Sequence, residues 1–157
     1  MKHKYINLRH IILCICLLAG IKASAYDAEI DGIYYIFSDT TAIVTYQSYS
    51  DDYTSDYSGA VVVPGSVTYN DKNYTVKSIG YAAFWGCSDL ISVTIPSSVT
   101  NIDSYAFRNC TCLNSINIPD SVIYIDWGTF SGCTSLTSVT IPNRVKEIDR
   151  YAFEGCI

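Results

Sequence analysis

Histidine is nearly missing from this chain: His3 and His10 are its only two copies, and no histidine follows residue 10. The commonest general base and the commonest zinc ligand are therefore confined to the extreme N-terminus. No C-x-x-C pair, G-x-S-x-G turn, phosphate-cradling glycine loop or D-x-D-x-D-G calcium loop occurs. Lys and Arg are scattered singly, so the clustered positive charge that nucleic acid or an anionic membrane surface requires is absent. Only one long apolar run exists, at residues 11–21, and it is short for a bilayer span.

That run has a function of its own. A basic start (Lys2, Lys4, Arg9), the apolar stretch and the small-residue box Ala23-Ser24-Ala25 together read as a secretory signal peptide, with cleavage expected after Ala25. Cys14 and Cys16 lie inside the run rather than after a cleavage box, which argues against lipid attachment. Cleavage removes four basic residues, no acidic ones and both histidines, leaving six basic against fifteen acidic residues, a net charge of −9. The expected product is acidic, secreted or held at the cell surface, and without a transmembrane segment.

What fills the rest of the chain is a repeat. Cys87, Cys110, Cys133 and Cys156 are spaced by 23 residues, and so are Phe84, Phe107, Phe130 and Phe153. Ile95-Pro96, Ile118-Pro119 and Ile141-Pro142 keep the same interval, so three landmarks agree on one period. Within a unit, Leu90, Val93, Ile95, Val99, Ile102, Ala106, Phe107 and Cys110 form the apolar slots. One period later all remain apolar except Thr129. The L-x-x-V-x-I segment suits a short strand with Val93 and Ile95 inward and Thr94 outward. Proline ends that strand because it cannot donate to a ladder. A second extended piece (residues 99–102 and equivalents) and a helical or irregular turn carrying Ala-Phe follow, closed by Gly or Asn before each ladder cysteine.

The pattern L-x-x-V-x-I-P-x-x-V-x-x-I-x-x-x-A-F-x-x-C, over about residues 76–157, resembles the BspA-like leucine-rich repeat family of exported and cell-surface proteins. Residues 31–35 and 61–80 are also similar to the region leading into such repeats. The resemblance implies an α/β solenoid, a right-handed leucine-rich-repeat coil of 23-residue units with short parallel strands. It also implies surface attachment or protein recognition, with no catalytic residues and no cofactor. Asp103, Asp126 and Asp149 depart from the small residue often found at their position, which Gly80 retains.

Residues 26–65 do not carry the period. Residues 33–37 and 41–46 read as strands around Ser38-Asp39-Thr40, and residues 69–74 as a hairpin turn between Val67 and Val76. The organisation expected is a signal peptide (1–25), a β-rich N-terminal cap (26–65) that keeps the first repeat from exposing its core, and repeats (66–157). A mobile Ser/Tyr/Asp-rich loop is expected at residues 47–59. The last unit stops at Cys156-Ile157, before its next strand, which suggests a fragment of a longer protein.

Several residue sets invite a chemical reading. The mature cysteines include the ladder and Cys112, an odd number; metal spacing is wrong, and stacked equivalent side chains point alike, which strains a disulfide. They are read as buried thiols, with Cys112, off the ladder, the most reactive. The ladder of Asp103, Asp126 and Asp149 fits calcium less well than capping of the following turns. Ser92, Thr94, Ser115, Asn117, Ser138 and Thr140 would line the outer strand face and are the candidate binding surface. Thirteen mature tyrosines, with Trp85 and Trp127, add binding capacity. The function expected is a non-enzymatic recognition or adhesion module for an extracellular protein or glycan. A structural spacer, or a fragment without a function of its own, is the alternative, and an Asp-based hydrolase the weakest reading.

Overall fold

A computed structural model describes residues 25–47 and 56–157. The leader, apart from Ala25, and most of the 47–59 loop lie outside the described residues.

Turn chemistry sets up the N-terminal sheet. β1 (Ala28–Ile30) and β2 (Ile33–Ser38) pair antiparallel through Asp31 and Gly32, both at positive φ, as a two-residue hairpin turn demands. β2 then pairs antiparallel with β3 (Thr41–Thr45). β5 (Ser66–Tyr69) and β6 (Lys72–Ile79) repeat the device at Asn70 and Asp71, with φ of 49° and 59°. β6 joins β3 in parallel, so one sheet runs β1-β2-β3-β6-β5, and β8 (Asn101–Ile102) adds to β6.

The remaining strands pair in the register of the repeat. β7 (Leu90–Thr94) pairs in parallel with β9 (Ser115–Asn117), matching Ser92 to Ser115 and Val93 to Ile116. β10 (Tyr124–Ile125) pairs in parallel with β11 (Glu147–Ile148), and β6 with β8 through Ile79 and Ile102. Every one of these partners lies 23 residues away, because identical apolar positions bury themselves best when stacked on one another. β4 (Gly59–Val62) belongs to the same parallel sheet, matching Val61 to Val93, an offset of 32. The nine extra residues are taken up by the β5–β6 hairpin. Strands from both sides of residue 65 therefore share sheets. No strand forms at residues 138–140, so Ser138 and Thr140 lie in exposed irregular chain rather than on a third strand.

No helix occurs among the described residues, which corrects the α part of the expected α/β class. The backbone of each Ala-Phe turn explains this. Two residues per turn are left-handed, at 82 and 86, 105 and 109, 128 and 132, and 151 and 155. A continuous right-handed helix cannot pass through them. Alternate N–H groups instead point along the stack: Phe84 donates to the Ala106 carbonyl at 2.8 Å, Phe107 to Thr129 at 2.9 Å and Phe130 to Ala152 at 2.8 Å. The intervening N–H groups close short turns three residues back, as from Ala106 to Asp103.

The core follows the landmarks. Phe84, Phe107 and Phe130 are fully buried, and their rings stack in a near-parallel column with Phe153 at centroid spacings of 5.0, 5.4 and 5.2 Å. Beside them Cys110 Sγ donates to the Phe84 carbonyl at 2.9 Å, Cys133 to Phe107 at 3.0 Å and Cys156 to Phe130 at 3.3 Å. Tyr57 ties the N-terminal sheet to this column: its ring lies 4.6 Å from Phe84, while its hydroxyl accepts from Tyr34 N–H and donates to the Thr45 carbonyl.

Candidate functional site: an aromatic ridge on the turn side

The outer strand face is only partly free to bind. Thr94, Ser115, Asn117, Ser138 and Thr140 are exposed and Ser92 half-buried. Asn117, however, is engaged in the fold, its Oδ1 accepting the Ile95 N–H at 3.1 Å. These side chains are small and polar, and Ser138 and Thr140 lie off the sheet.

The cysteine ladder is equally structural. Cys87, Cys110 and Cys133 are buried, Cys156 is half-buried, and Cys112 is exposed. Hydrogen bonding with Cys133, together with burial, pushes the Cys110 thiol up, so it stays protonated.

The Asp ladder shows repulsion rather than coordination. Burial, and then the charge of Asp126, raise the Asp103 carboxyl above its usual range, against a hydrogen bond from Ser78. Burial, Asp149 and Glu147 raise Asp126. Among the described residues, no three His, Cys, Asp or Glu side chains converge to hold a metal ion. Of the three, Asp149 accepts a turn N–H, that of Arg150, at 2.6 Å. Gly80 differs from these aspartates because β3 occupies their space: a Cβ there would meet the Val44 carbonyl oxygen at 2.9 Å.

A different set of residues forms the most distinctive surface. Tyr81, Trp85, Tyr105, Trp127 and Tyr151 run along the turns as a continuous ridge. Tyr105 lies 5.8 Å from Tyr81, 5.3 Å from Trp85 and 5.5 Å from Trp127, and Trp127 lies 6.1 Å from Tyr151. Tyr81, Trp127 and Tyr151 are 44%, 45% and 54% exposed, although burying each would be worth kilocalories. The guanidinium of Arg108 sits over both Trp85 and Tyr105, 5.0 Å from each ring centroid.

Backbone geometry builds this ridge. Tyr105 and Tyr151 adopt φ of 60° and 61°, a conformation that costs an L-residue about 1–2 kcal/mol and that Gly128 takes freely at the equivalent position. The left-handed Cα turns the Tyr105 ring over the next repeat, onto the bare Cα of Gly128. A Cβ on Gly128 would come within 2.8 Å of the ring's Cδ1 and Cε1. Between these rings lies a shallow pocket of about 300 Å³, lined by Tyr105, Arg108, Trp127, Ser131, Tyr151 and Glu154. It offers aromatic surface, one cation, one carboxylate and the hydroxyl-bearing side chains of Ser131, Tyr105 and Tyr151.

Sequence reasoning singled out Trp85 and Trp127 but not their assembly. The aromatics sit three residues before, two before or one after the ladder phenylalanines, so they zigzag between columns and the 23-residue period conceals them.

Parallel strands in repeat register, a phenylalanine column and turns hydrogen-bonded along the stack define a leucine-rich-repeat-type fold. Residues 66–157 match the family described as BspA type leucine rich repeat region (6 copies), and the chain belongs to that family. A leucine-rich repeat protein from Bacteroides ovatus is 44% identical with a TM-score of 0.74, the match covering 83% of this chain and 33% of that one. Another, from Bacteroides capillosus, is 30% identical with a TM-score of 0.66, covering 78% and 87%. A leucine rich cell surface protein from Faecalibacterium prausnitzii is 25% identical with a TM-score of 0.50, covering 85% and 47%. The chain thus spans about a third of the Bacteroides ovatus protein. None of the curated proteins matches it. No helix among the described residues is long and apolar enough to cross a membrane.

Proposed function

We propose that this chain is an exported, non-enzymatic recognition module that binds an extracellular protein or glycan through its repeat surface. Its repeats form a right-handed solenoid of 23-residue coils, and the β1-β2-β3 sheet caps the first of them. The observation that carries the reading is the ridge of exposed Trp and Tyr beside a stacked Arg, the three residue types most enriched where binding energy concentrates. Membership in a family of repeat proteins, not generally enzymatic, and similarity to a protein described as a cell surface protein support it. Export after Ala25 follows from the leader sequence.

The test is direct binding of the purified chain to intact cells and to immobilised extracellular proteins and glycans. Saturable binding that competes with unlabelled chain is expected, and its absence across both classes overturns the reading. N-terminal sequencing of secreted material should begin at Tyr26.

A further inference from the structure

We infer that the aromatic ridge is a binding site for a neutral, linear, β-linked oligosaccharide, lying along the stacking direction with sugar rings against Tyr105, Trp127 and Tyr151. This inference rests on the recognition reading above and names its ligand class and site.

Three observations select that class. The first is spacing along the stack: ring centroids step by 5.3 to 6.1 Å from Trp85 through Tyr105 and Trp127 to Tyr151, with Tyr81 beside Tyr105 at 5.8 Å. A chain ligand whose units advance by a length comparable to one repeat step fits it, as β-linked pyranoses do.

The second is chemistry. A pyranose has an apolar C–H face and a rim of equatorial hydroxyls. The partly exposed rings of Trp127 and Tyr151 suit the first. Arg108, Ser131 and Glu154, around the same pocket of about 300 Å³, supply donors and acceptors for the second.

The third is charge. The pocket carries one cation and one carboxylate, and a chain at −9 after leader removal repels polyanions. A neutral glycan meets neither penalty.

Trp85 and Trp127 are the only tryptophans, so intrinsic fluorescence reports the site directly. Cellohexaose, xylohexaose and chitohexaose would be titrated into the purified chain, with calorimetry in parallel. At least one is expected to bind saturably in the micromolar to millimolar range and shift the emission. Trp127→Ala and Tyr151→Ala should each weaken that binding tenfold or more. Trp127→Phe, which keeps an aromatic face, should lose less than Trp127→Ala, and Tyr124→Ala, exposed on β10 and off the ridge, should bind as the parent does. Melting temperatures within a few degrees of the parent certify that the variants fold.

No response to any of the three sugars overturns the inference. Binding unchanged in Trp127→Ala and Tyr151→Ala, or lost equally in Tyr124→Ala, overturns the assignment to the ridge. If the chain binds an extracellular protein saturably and no sugar, the ligand class is wrong while the recognition reading stands. Binding of nothing at all defeats both.

Discussion

Truncating Phe107 to alanine tests the column that holds the repeats together. Phe107 is fully buried, with Phe84 at 5.0 Å on one side and Phe130 at 5.4 Å on the other, each inclined by only 6°. Loss of a fully buried phenylalanine costs about 3–5 kcal/mol, of which each aromatic pair accounts for about 0.5–1.5 kcal/mol. Phe153 is the internal control: it is half-buried and meets one ring, Phe130, at 5.2 Å. Its truncation should cost about 1.5–2 kcal/mol, because less area leaves water on folding and only one pair is lost. Phe107→Leu keeps most of the apolar volume and removes the stacking, and should cost about 1–2 kcal/mol, well below Phe107→Ala. Urea unfolding followed by circular dichroism and tryptophan fluorescence gives each value from the midpoint and slope. A two-probe comparison also shows whether Phe107→Ala splits the transition, as a nearest-neighbour stack cut in its middle can do. If Phe107→Ala costs no more than Phe153→Ala, the column is not a shared core and the reasoning fails.

Three further outcomes follow from single sites. Tyr35 is fully buried and its hydroxyl meets no partner among the described residues, so Tyr35→Phe should be neutral or stabilise by up to about 1 kcal/mol, whereas Tyr57→Phe, which strands Tyr34 N–H and the Thr45 carbonyl, should cost about 1–3 kcal/mol; equal effects in urea unfolding would contradict this. Gly80→Ala should cost about 2–3 kcal/mol because the added Cβ meets the Val44 carbonyl of β3 at 2.9 Å, against about 1 kcal/mol for Gly86→Ala, where φ is +72° but the space is open; the reverse order in thermal melts would refute the packing of β3 on the first repeat. Asp103 has a raised folded pKa, so the stability tied to its neutral form is complete below its ordinary value of 3.8 and is lost as pH rises through the folded value. Asp103→Asn should therefore melt higher than the parent at pH 7, and the gap should close below pH 3.8; a gap that persists at pH 3 would show another cause.

Much of the fold is legible in the residues because stacking like on like is what a parallel repeat does. Where Phe, Cys and Ile recur at one interval, each buries most area against its own equivalent, so the 23-residue spacing translates directly into the Ser92–Ser115 and Ile125–Ile148 registers. The hairpins at Asp31-Gly32 and Asn70-Asp71 are equally local, resting on residues that tolerate positive φ. The α content was misread for a reason that is also local but invisible in hydrophobic pattern: Ala82, Tyr105 and Tyr151 are left-handed without being glycine. At Ala82 and Tyr105 a hydrogen bond to the next repeat, to the Ser104 and Trp127 carbonyls, outweighs the preference of the residue.

The first parallel strand escaped notice because the β5–β6 hairpin adds nine residues to its repeat. Val61, Val63 and Pro64 match Val93, Ile95 and Pro96 at 32 residues instead of 23, and a fixed-period search passes over them. The sequence by itself determined the period and the inward residues, which depend on composition and on neighbours along the chain. Only the tertiary structure decided that Asn117 is spent on Ile95, that β3 claims the space above Gly80, and that five aromatics from different columns close into one ridge around Arg108. Those contacts depend on where left-handed turns aim their side chains and on how far each ring reaches into the next repeat, and neither distance is written in the spacing of residues along a chain.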